Sequence, residues 1–380
     1  LVAIASVLGW GVLKHQWERG WLAALSVLVV ACPCALGIAT PMATTIALSR
    51  AAERGTLLRS GAALESLDRV GTIAFDKTGT ITRGHPEVRS VRVQATSRLT
   101  ESEVLGLAAA VEMNVDHPFG RAIVGEARAR RIEVFAGRET RSVPGGGAKG
   151  RADGCSVLLG SRALLEREGV SGTGMLAEGS EEESVVAVAV DRHLAGEIFL
   201  WDPPRPEARD VISAIRSMDM VPRLLSGDRL AVVRSIAREV GVQEAFGELA
   251  PGEKARLLRQ WRQDRSLVAM VGDGVNDAPA LAAADVGIAF GSAANLARQT
   301  ADAVVLGDDL REVPRLFLLA RRTMRVVRQN LTWAFGYNAI GILLAAFGFL
   351  RPVVAAAAMV LSSLFVVGNS LRLQRFERDL

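Results

Sequence analysis

Residues 71–80, GTIAFDKTGT, combine an apolar strand with a polar loop. The strand TIAF ends directly before Asp76, so a carboxylate stands at the start of the loop. A carboxylate in this position can act as a nucleophile toward a phosphoryl group. A single aspartate can equally cap a helix, so the interpretation depends on the residues at the ends of the other strands.

A second acidic loop comes after the apolar run 266–272, SLVAMVG, and carries Asp273 and Asp277 on a glycine turn. Carboxylates suit Mg²⁺, which takes oxygen ligands and keeps several waters. Lys254 can neutralise phosphoryl oxygens, and the Ser226 hydroxyl can donate a hydrogen bond to them. Nucleophile, hydroxyl, lysine and metal carboxylates occur in one order along the chain, which favours a phosphoryl-transfer site over a set of solvated loops.

Short apolar runs alternate with helical patterns over about residues 50–330. Strand–loop–helix units of this kind predict a parallel sheet with acidic loops at the carboxyl ends of its strands. Between about residues 84 and 197 the pattern changes to helices, a glycine-rich turn and short strands. We therefore predict an α/β domain that is split by an inserted α+β domain.

The motifs DKTGT and GDGVNDAPAL together resemble those of the P-type ATPases, and the resemblance covers nearly the whole chain. It implies a haloacid-dehalogenase-like phosphorylation domain in which Asp76 accepts the γ-phosphate of ATP. It also implies that Mg²⁺ is held by Asp76, the Thr78 carbonyl and Asp273. The residues that it assigns to the reaction are Asp76, Lys77, Thr78, Ser226, Gly227, Asp228, Lys254, Asp273, Asn276 and Asp277.

The residue two positions after the nucleophile separates two functions. Soluble phosphatases of this fold usually carry an aspartate there, which protonates the leaving group and later activates water. This chain has Thr78 instead. We therefore expect the aspartyl phosphate to persist, as a pump requires, and a membrane-tethered phosphatase is the less favoured alternative.

The inserted domain resembles the nucleotide-binding domain of the heavy-metal-transporting branch, which carries a His-Pro pair. The pair is His117–Pro118 here, and the other adenosine-pocket residues implied are Glu112, Gly145 and Gly147. His117 alone is better interpreted as a surface or capping histidine. A chain that only binds nucleotide is a further alternative, which the intact Asp76, Lys254 and Asp273 disfavour. The segment WDPPRPEA, with Asp202 and Arg205, matches the family's hinge motif.

Four apolar runs approach the ~20 residues that a membrane-spanning helix needs. They are Leu1–Leu13, Trp21–Leu48, Leu331–Leu350 and Pro352–Leu371. Arginine clusters flank them, which predicts that the central region is cytosolic; no aromatic–basic interleaving supports nucleic-acid binding. The predicted segments are a helix pair 1–48, a linker helix 49–69, a phosphorylation domain 70–83 and 198–312, a nucleotide-binding domain 84–197, a basic helix 313–330, a helix pair 331–371 and a tail 372–380.

The first complete apolar run contains residues 30–41, VACPCALGIATP. Pro33 interrupts helical hydrogen bonding, and unwound backbone in a membrane is tolerated where protein or a cavity surrounds it. Cys32 and Cys34 would present thiolates at this break, and soft thiolates favour Cu(I) but also take Zn²⁺. Two small core residues are the simpler interpretation, which the intervening proline disfavours.

The last two apolar runs resemble the membrane signatures of the copper-transporting subgroup at Tyr337, Asn338, Met359 and Ser362. The runs contain no Asp, Glu or Lys, and a divalent ion beside two thiolates would be expected to recruit such a charge. The prediction is therefore transport of Cu(I) or Ag(I), with Zn²⁺ or Cd²⁺ as the alternative cargo.

Residue 1 is a leucine inside an apolar run, and the Thr-Gly-Glu loop of the family's actuator domain does not occur. We expect a fragment that lacks that domain and the first membrane helices, and that binds nucleotide without completing transport. The expected partners are ATP, Mg²⁺, membrane lipid, copper delivered by a soluble chaperone, and the N-terminal half of the same pump. The expected location is the bacterial inner membrane, with cytosolic catalytic domains and no nucleic-acid partner.

Overall fold

The computed structural model describes residues 1–32, 34–115, 118–143, 147–176, 183–262, 266–273, 277–291 and 299–374. The chain forms two compact units. The first unit contains Leu1–Val70, Asp302–Gly307 and Glu312–Leu380, and the second contains Gly71–Ala301 and Asp308–Arg311.

The helices and strands are numbered here in chain order. The helices are α1 Val2–Leu8, α2 Trp17–Val30, α3 Cys34–Glu53, α4 Gly61–Asp68, α5 Glu101–Glu112, α6 Pro118–Ala129, α7 Arg162–Arg167, α8 Ala208–Ser217, α9 Leu230–Val240, α10 Pro251–Trp261, α11 Ala278–Ala283, α12 Glu312–Ala346 and α13 Pro352–Leu371. The strands are β1 Thr56–Leu58, β2 Val70–Asp76, β3 Glu87–Val93, β4 Arg138–Val143, β5 Gly147–Ala152, β6 Cys155–Gly160, β7 Ser184–Val190, β8 His193–Trp201, β9 Val221–Leu225, β10 Glu244–Phe246, β11 Leu267–Gly272, β12 Val286–Phe290 and β13 Ala303–Val305.

The second unit contains a sheet in which five strands follow the order β12-β11-β2-β9-β10. The pairs β11–β12, β2–β9 and β9–β10 are parallel. Strands β2, β11 and β12 are largely apolar and buried, for example at Ile73, Phe75 and Met270. Continuous apolar runs of this kind are typical of parallel strands that are covered on both faces. Their carboxyl ends therefore form one edge of the sheet.

The inserted part has a sheet of its own, with strand order β3-β8-β7-β6-β5-β4 and antiparallel pairing. Helix α5 packs on this sheet through a buried apolar face that includes Val104, Leu105 and Ala108. The helix begins with a capping box, in which Thr100 and Glu103 satisfy each other's backbone N–H groups. The insertion lies between β2 and β9, and β8 continues to Trp201, past the boundary predicted at residue 197, because the pairing with β3 and β7 extends to that end of the strand.

The first unit is helical, and α2 ends at Val30 whereas α3 begins at Cys34. The helix is thus interrupted where the sequence predicts a break, and Pro33 itself lies outside the described residues. The segments Trp17–Glu53 and Pro352–Gln374 are long and apolar enough to cross a membrane. Helix α12 ends at Ala346, before the predicted Leu350, so the span predicted there stays a prediction.

Two segments of the first unit differ from expectation. The sequence predicts one linker helix over residues 49–69, whereas α3 ends at Glu53 and β1 precedes α4. Gly55 has a φ of +76°, a conformation that commonly terminates helices, and β1 pairs antiparallel with β13. In contrast, the predicted basic helix and the adjoining apolar run form one continuous helix, α12, because no proline separates them.

Candidate active site

The carboxyl edge of the parallel sheet brings the predicted reactive residues together. Asp76 is the last residue of β2 and lies opposite Leu225 of β9, which Ser226 follows. Asp273 follows the end of β11, and Asp277 precedes α11. One oxygen from each of Asp76, Asp273 and Asp277 lies within 4.8 Å of the others.

The Lys254 ammonium lies between two of these carboxylates. Its Nζ donates to Asp76 Oδ1 at 2.5 Å and to Asp277 Oδ1 at 2.8 Å. All three side chains are buried. Helix α10 supplies this lysine from its first turn, which starts with Pro251 at a position that proline favours.

Burial and mutual repulsion make the carboxylates hard to ionise. Burial, with the charge of Asp277 next, raises the pKa of Asp76 to about 7. Burial also raises the pKa of Asp273 to about 6. Burial alone would lower the pKa of Lys254, but the charges of Asp76 and Asp277 outweigh it and raise that pKa. The cluster therefore needs further positive charge to be fully ionised.

The chemistry of this donor set fits Mg²⁺, because three carboxylates converge and oxygen ligands are the ones that Mg²⁺ takes. Asp76 and Asp273 are two of the predicted ligands. Asp277, the third carboxylate of the cluster, is already in contact with Lys254. The half-buried Thr78 lies in the same loop as Asp76, and its predicted carbonyl contact stays a prediction.

A glycine is required next to this cluster. Gly79 has a φ of +76°, and a Cβ atom there would lie 1.8 Å from Asp273 Oδ2. The loop after Asp76 can therefore approach the second acidic loop only because residue 79 has no side chain.

Lys77 and Ser226 make contacts that the sequence does not reveal. The buried Lys77 ammonium lies 2.9 Å from Asp228 Oδ2 and 3.8 Å from Asp202 Oδ2. Ser226 is buried, and its Oγ accepts from the Asp228 N–H at 3.1 Å. Gly227 between them is exposed. Lys77 thus holds the loop of Asp228 against the loop that follows Asp76.

Arg205 binds the loop that follows Asp76. Its guanidinium donates to the carbonyls of Thr80 at 2.9 Å and Gly79 at 3.3 Å, and it pairs with Asp308 at 2.6 Å. The side chain is buried and lies over the Phe290 ring. The sequence identified Arg205 only as part of a hinge motif, because its partners are distant along the chain.

Asp202 ties together the two connections to the inserted domain. Its carboxylate accepts from Thr82 Oγ at 2.5 Å and from the Gly84 N–H at 3.1 Å. Backbone hydrogen bonds join the same connections, from Arg83 to the carbonyl of Pro203 and from Arg205 to that of Ile81. Burial raises the pKa of Asp202, although the charge of Lys77 opposes this.

A cleft of about 1110 Å³ is lined both by the loop that follows Asp76 and by residues of the inserted domain. Asp76, Ser226 and Lys254 line one part of it, and Pro118 and Arg121 of α6 line another. Its volume is slightly above the ~300–1,000 Å³ that ligand sites occupy. Arg121 carries no motif, so nothing in the sequence singles it out.

A second cavity, of about 510 Å³, lies in the inserted domain beside Glu112. Glu112 is 8% exposed, and its Oε2 has no hydrogen-bond partner among the residues that the structure describes. Burial raises its pKa to about 7. An unpaired buried acceptor indicates a site for a ligand that donates a hydrogen bond.

Three predicted residues lie outside the described part of the chain, namely His117, Gly145 and Asn276. Pro118 starts α6, and Gly147 starts β5. A Cβ atom at Gly147 would lie 2.2 Å from the Leu159 carbonyl oxygen, so the position requires glycine for packing in the sheet. The predicted role of Gly147 in nucleotide binding stays a prediction.

The predicted cargo residues lie on α3, α12 and α13, except Cys32, which lies two residues before α3; the three helices pack together. Ala35 and Ala39, near the start of α3, pack with Ala334 of α12 and Val366 of α13. Cys32 is exposed, whereas the side chain of Cys34 lies outside the described part. The contacts bring the start of α3 next to the helices of the other predicted ligands without testing a ligand set.

The partners of those ligands are partly described. Ser362 is buried, and its Oγ accepts from Trp333 Nε1 at 3.2 Å. Tyr337, Asn338 and Met359 are half-buried. The Tyr337 hydroxyl has no hydrogen-bond partner within the described chain.

A buried polar network that the sequence did not predict joins α12 and α13. Asn330 Nδ2 donates to Ser370 Oγ at 3.0 Å, and Asn369 Nδ2 donates to Asn330 Oδ1 at 2.9 Å. A hydrogen bond of this kind between buried side chains contributes about 1 kcal/mol to stability. The network fixes the register of the two helices on which the predicted cargo ligands lie.

Comparison with known proteins supports one class. The profile of the haloacid dehalogenase-like hydrolase family matches residues 70–285, and the chain therefore belongs to that family. The predicted haloacid-dehalogenase-like fold is thereby confirmed.

The resemblance to copper-transporting P-type ATPases is also confirmed. The chain is 40% identical to the probable copper-exporting P-type ATPase V of Mycobacterium tuberculosis, with all of this chain and 50% of the relative aligned. It is 38% identical to a copper-exporting P-type ATPase of Staphylococcus haemolyticus, covering 99% of this chain and 47% of the relative. A crystal structure of a zinc-transporting PIB-type ATPase in its E2.Pi state superposes with a TM-score of 0.77 at 36% identity, covering 98% of this chain and 61% of the other. The chain thus spans about half the length of the curated relatives it matches.

The contacts of Lys254 predict that replacing this residue strongly lowers the stability of the fold. Lys254→Met should lower the free energy of unfolding by about 3–5 kcal/mol at pH 8 in EDTA, because it leaves buried carboxylates unpaired. Lys149→Met is the matched control, since Lys149 pairs with Glu168 at 2.9 Å but nearer the surface; about 1 kcal/mol or less is expected there. Chemical denaturation in detergent measures both, and equal effects would contradict the prediction.

Glu112 predicts a pH dependence of stability. Its pKa is about 7 when folded and ordinarily 4.5, so the folded state binds the extra proton. Protonated Glu112 thus adds to the free energy of unfolding below about pH 4.5, and this contribution is lost as pH rises through 7. Glu112→Gln should therefore unfold like the wild type at pH 5 and be more stable at pH 8, by up to about 3 kcal/mol. The exposed Glu133→Gln serves as control, and a pH-independent difference for Glu112→Gln would refute the assignment.

Proposed function

We propose that this chain is the catalytic and cargo-binding part of a pump that uses ATP to move Cu(I) across a membrane through an aspartyl phosphate. One observation carries the proposal. Asp76 ends a buried strand within a cluster of Lys254, Asp273 and Asp277, and faces the same cleft as the inserted domain. The curated relatives named as copper-exporting P-type ATPases support it.

The proposed reaction forms a bond between an Asp76 carboxylate oxygen and the γ-phosphorus of ATP and breaks the bond from that phosphorus to the β-phosphate oxygen, releasing ADP. Asp76 attacks in its ionised form, which the Lys254 ammonium favours. The Ser226 hydroxyl is placed to donate to a phosphoryl oxygen. Mg²⁺, held by Asp76, Asp273 and the Thr78 carbonyl, would neutralise charge on the phosphoryl oxygens.

Thr78 favours a pump over a phosphatase. It has no carboxyl group to activate a water against the aspartyl phosphate, so this chain lacks the usual means of rapid hydrolysis at that position. A phosphatase would turn over p-nitrophenyl phosphate rapidly without a trapped phosphoenzyme.

The cargo is assigned from sulfur chemistry and charge. Cys32 and Cys34 flank the break between α2 and α3, and the helices beside them contribute Tyr337, Met359 and Ser362. Cu(I) and Ag(I) suit thiolates and need no carboxylate partner in low dielectric. Zn²⁺ is the second candidate, because the superposing crystal structure is of a zinc-transporting ATPase.

The location and partners are inferred from the same assignment. We propose a bacterial inner membrane protein, with the second unit in the cytosol and ATP, Mg²⁺ and copper as its ligands. A soluble copper chaperone is the proposed donor. The remaining half of the pump would supply the actuator domain and further helices.

The aspartyl phosphate is tested by radiolabelling the full-length pump that contains this chain. [γ-³²P]ATP should label the wild type in a bond that hydroxylamine cleaves, and Asp76→Asn should remove the label because the nucleophile is lost. Asp210→Asn, an exposed aspartate of α8, should retain it. Label on Asp76→Asn would overturn the proposed nucleophile.

The cargo is tested by ATPase assays in vesicles. Cu(I) should stimulate hydrolysis and Zn²⁺ should not, since two thiolates without a carboxylate favour the soft monovalent ion. The Cys32→Ser/Cys34→Ser variant should lose this stimulation, whereas Cys155→Ser, in β6 of the inserted domain, should keep it. Stimulation by Zn²⁺ alone would instead support the second candidate.

A further inference from the structure

Arg121 occupies a particular position in the second unit. Among the described residues it is the only one that lines both the cleft with Asp76 and the cavity with Glu112. Its side chain is exposed, and it lies in the first turn of the 12-residue helix α6. Arg121 therefore borders both spaces.

The two spaces differ in chemistry. The Glu112 cavity presents a buried carboxyl oxygen with no partner in the described chain, which suits a donor such as an exocyclic base amine. The cleft presents the Lys254 ammonium and the Ser226 hydroxyl, which suit a phosphoryl group. If the nucleoside of a nucleotide occupies the Glu112 cavity and its terminal phosphate lies beside Asp76, the remaining phosphates lie between these two places.

We infer that Arg121 binds the α- and β-phosphates of the nucleotide and so selects nucleoside di- and triphosphates over nucleosides. This inference rests on the proposed function. A guanidinium presents a planar fork of donors that matches phosphate oxygens. The start of α6 adds the positive end of a helix dipole near the same place.

The same helix supplies a matched control. Arg128 lies two turns after Arg121 and lines the Glu112 cavity but not the cleft. It therefore has the same charge and the same helix, but it does not lie on the way to Asp76. The two arginines separate a general electrostatic effect from a contact with the phosphates.

The test measures dissociation constants of ATP, ADP, AMP and adenosine by titration calorimetry, with the full chain in detergent and EDTA present. Arg121→Gln should weaken the binding of ATP and of ADP about tenfold, as the loss of a charged hydrogen bond implies. It should weaken the binding of AMP less and leave the binding of adenosine unchanged. Arg128→Gln should not discriminate among the four ligands. Arg121→Lys should recover part of the loss, because it restores charge without the fork.

The outcomes distinguish the inference from the proposed function. If the wild type binds ATP and Arg121→Gln leaves its affinity within twofold, the role of Arg121 is refuted while the proposed function stands. An equal loss for adenosine would also refute it, since a phosphate contact cannot affect a nucleoside. If the folded wild type binds no nucleotide at all, the proposed function fails together with the inference.

Discussion

One ammonium group shared between buried carboxylates is the interaction on which the active site depends. Lys254 contacts both Asp76 and Asp277, and Asp273 lies within the same cluster. Burial, and after it the negative charge of Asp277, raises the pKa of Asp76 and of Asp273. Because a second cation would relieve this repulsion, a divalent ion in the cluster would favour the ionised form of Asp76.

The loop that follows Asp76 is also hydrogen-bonded to the two chain segments that join the inserted domain to the parallel sheet. Asp202 receives hydrogen bonds from Thr82 and Gly84, and Arg205 donates to the carbonyls of Gly79 and Thr80. The segment that leads from β2 into the inserted domain and the segment that leads back from β8 are thus hydrogen-bonded to each other beside the loop that follows Asp76. Under the proposed function, a nucleotide bound to the inserted domain would therefore act on a segment that leads directly to Asp76.

The sequence predicted those parts of the site that depend on strand order. Asp76, Ser226 and Asp273 each come after an apolar run, and carboxyl ends of parallel strands meet at one edge. Contacts between distant residues were not predictable, as Lys77 with Asp228 and Arg205 with Asp308 show. Strand β1 was missed because three residues give no periodicity, and Arg121 because an exposed arginine has no pattern. The break at the cysteines was predictable, since proline affects the backbone locally.

The cargo helices have a packing that suits a small, uncharged interior. Helix α3 buries an alanine every fourth residue, at Ala35, Ala39, Ala43, Ala47 and Ala51. Small residues on one face allow close approach of neighbouring membrane helices, and Ala35 and Ala39 make that approach to α12 and α13 next to the cysteines. A site built this way offers sulfur and hydroxyl groups but no carboxylate. Under the proposed function, such a site would discriminate by the softness and charge of the ion, whereas the aspartates of the second unit would suit hard Mg²⁺. The two metals would then be separated by ligand chemistry.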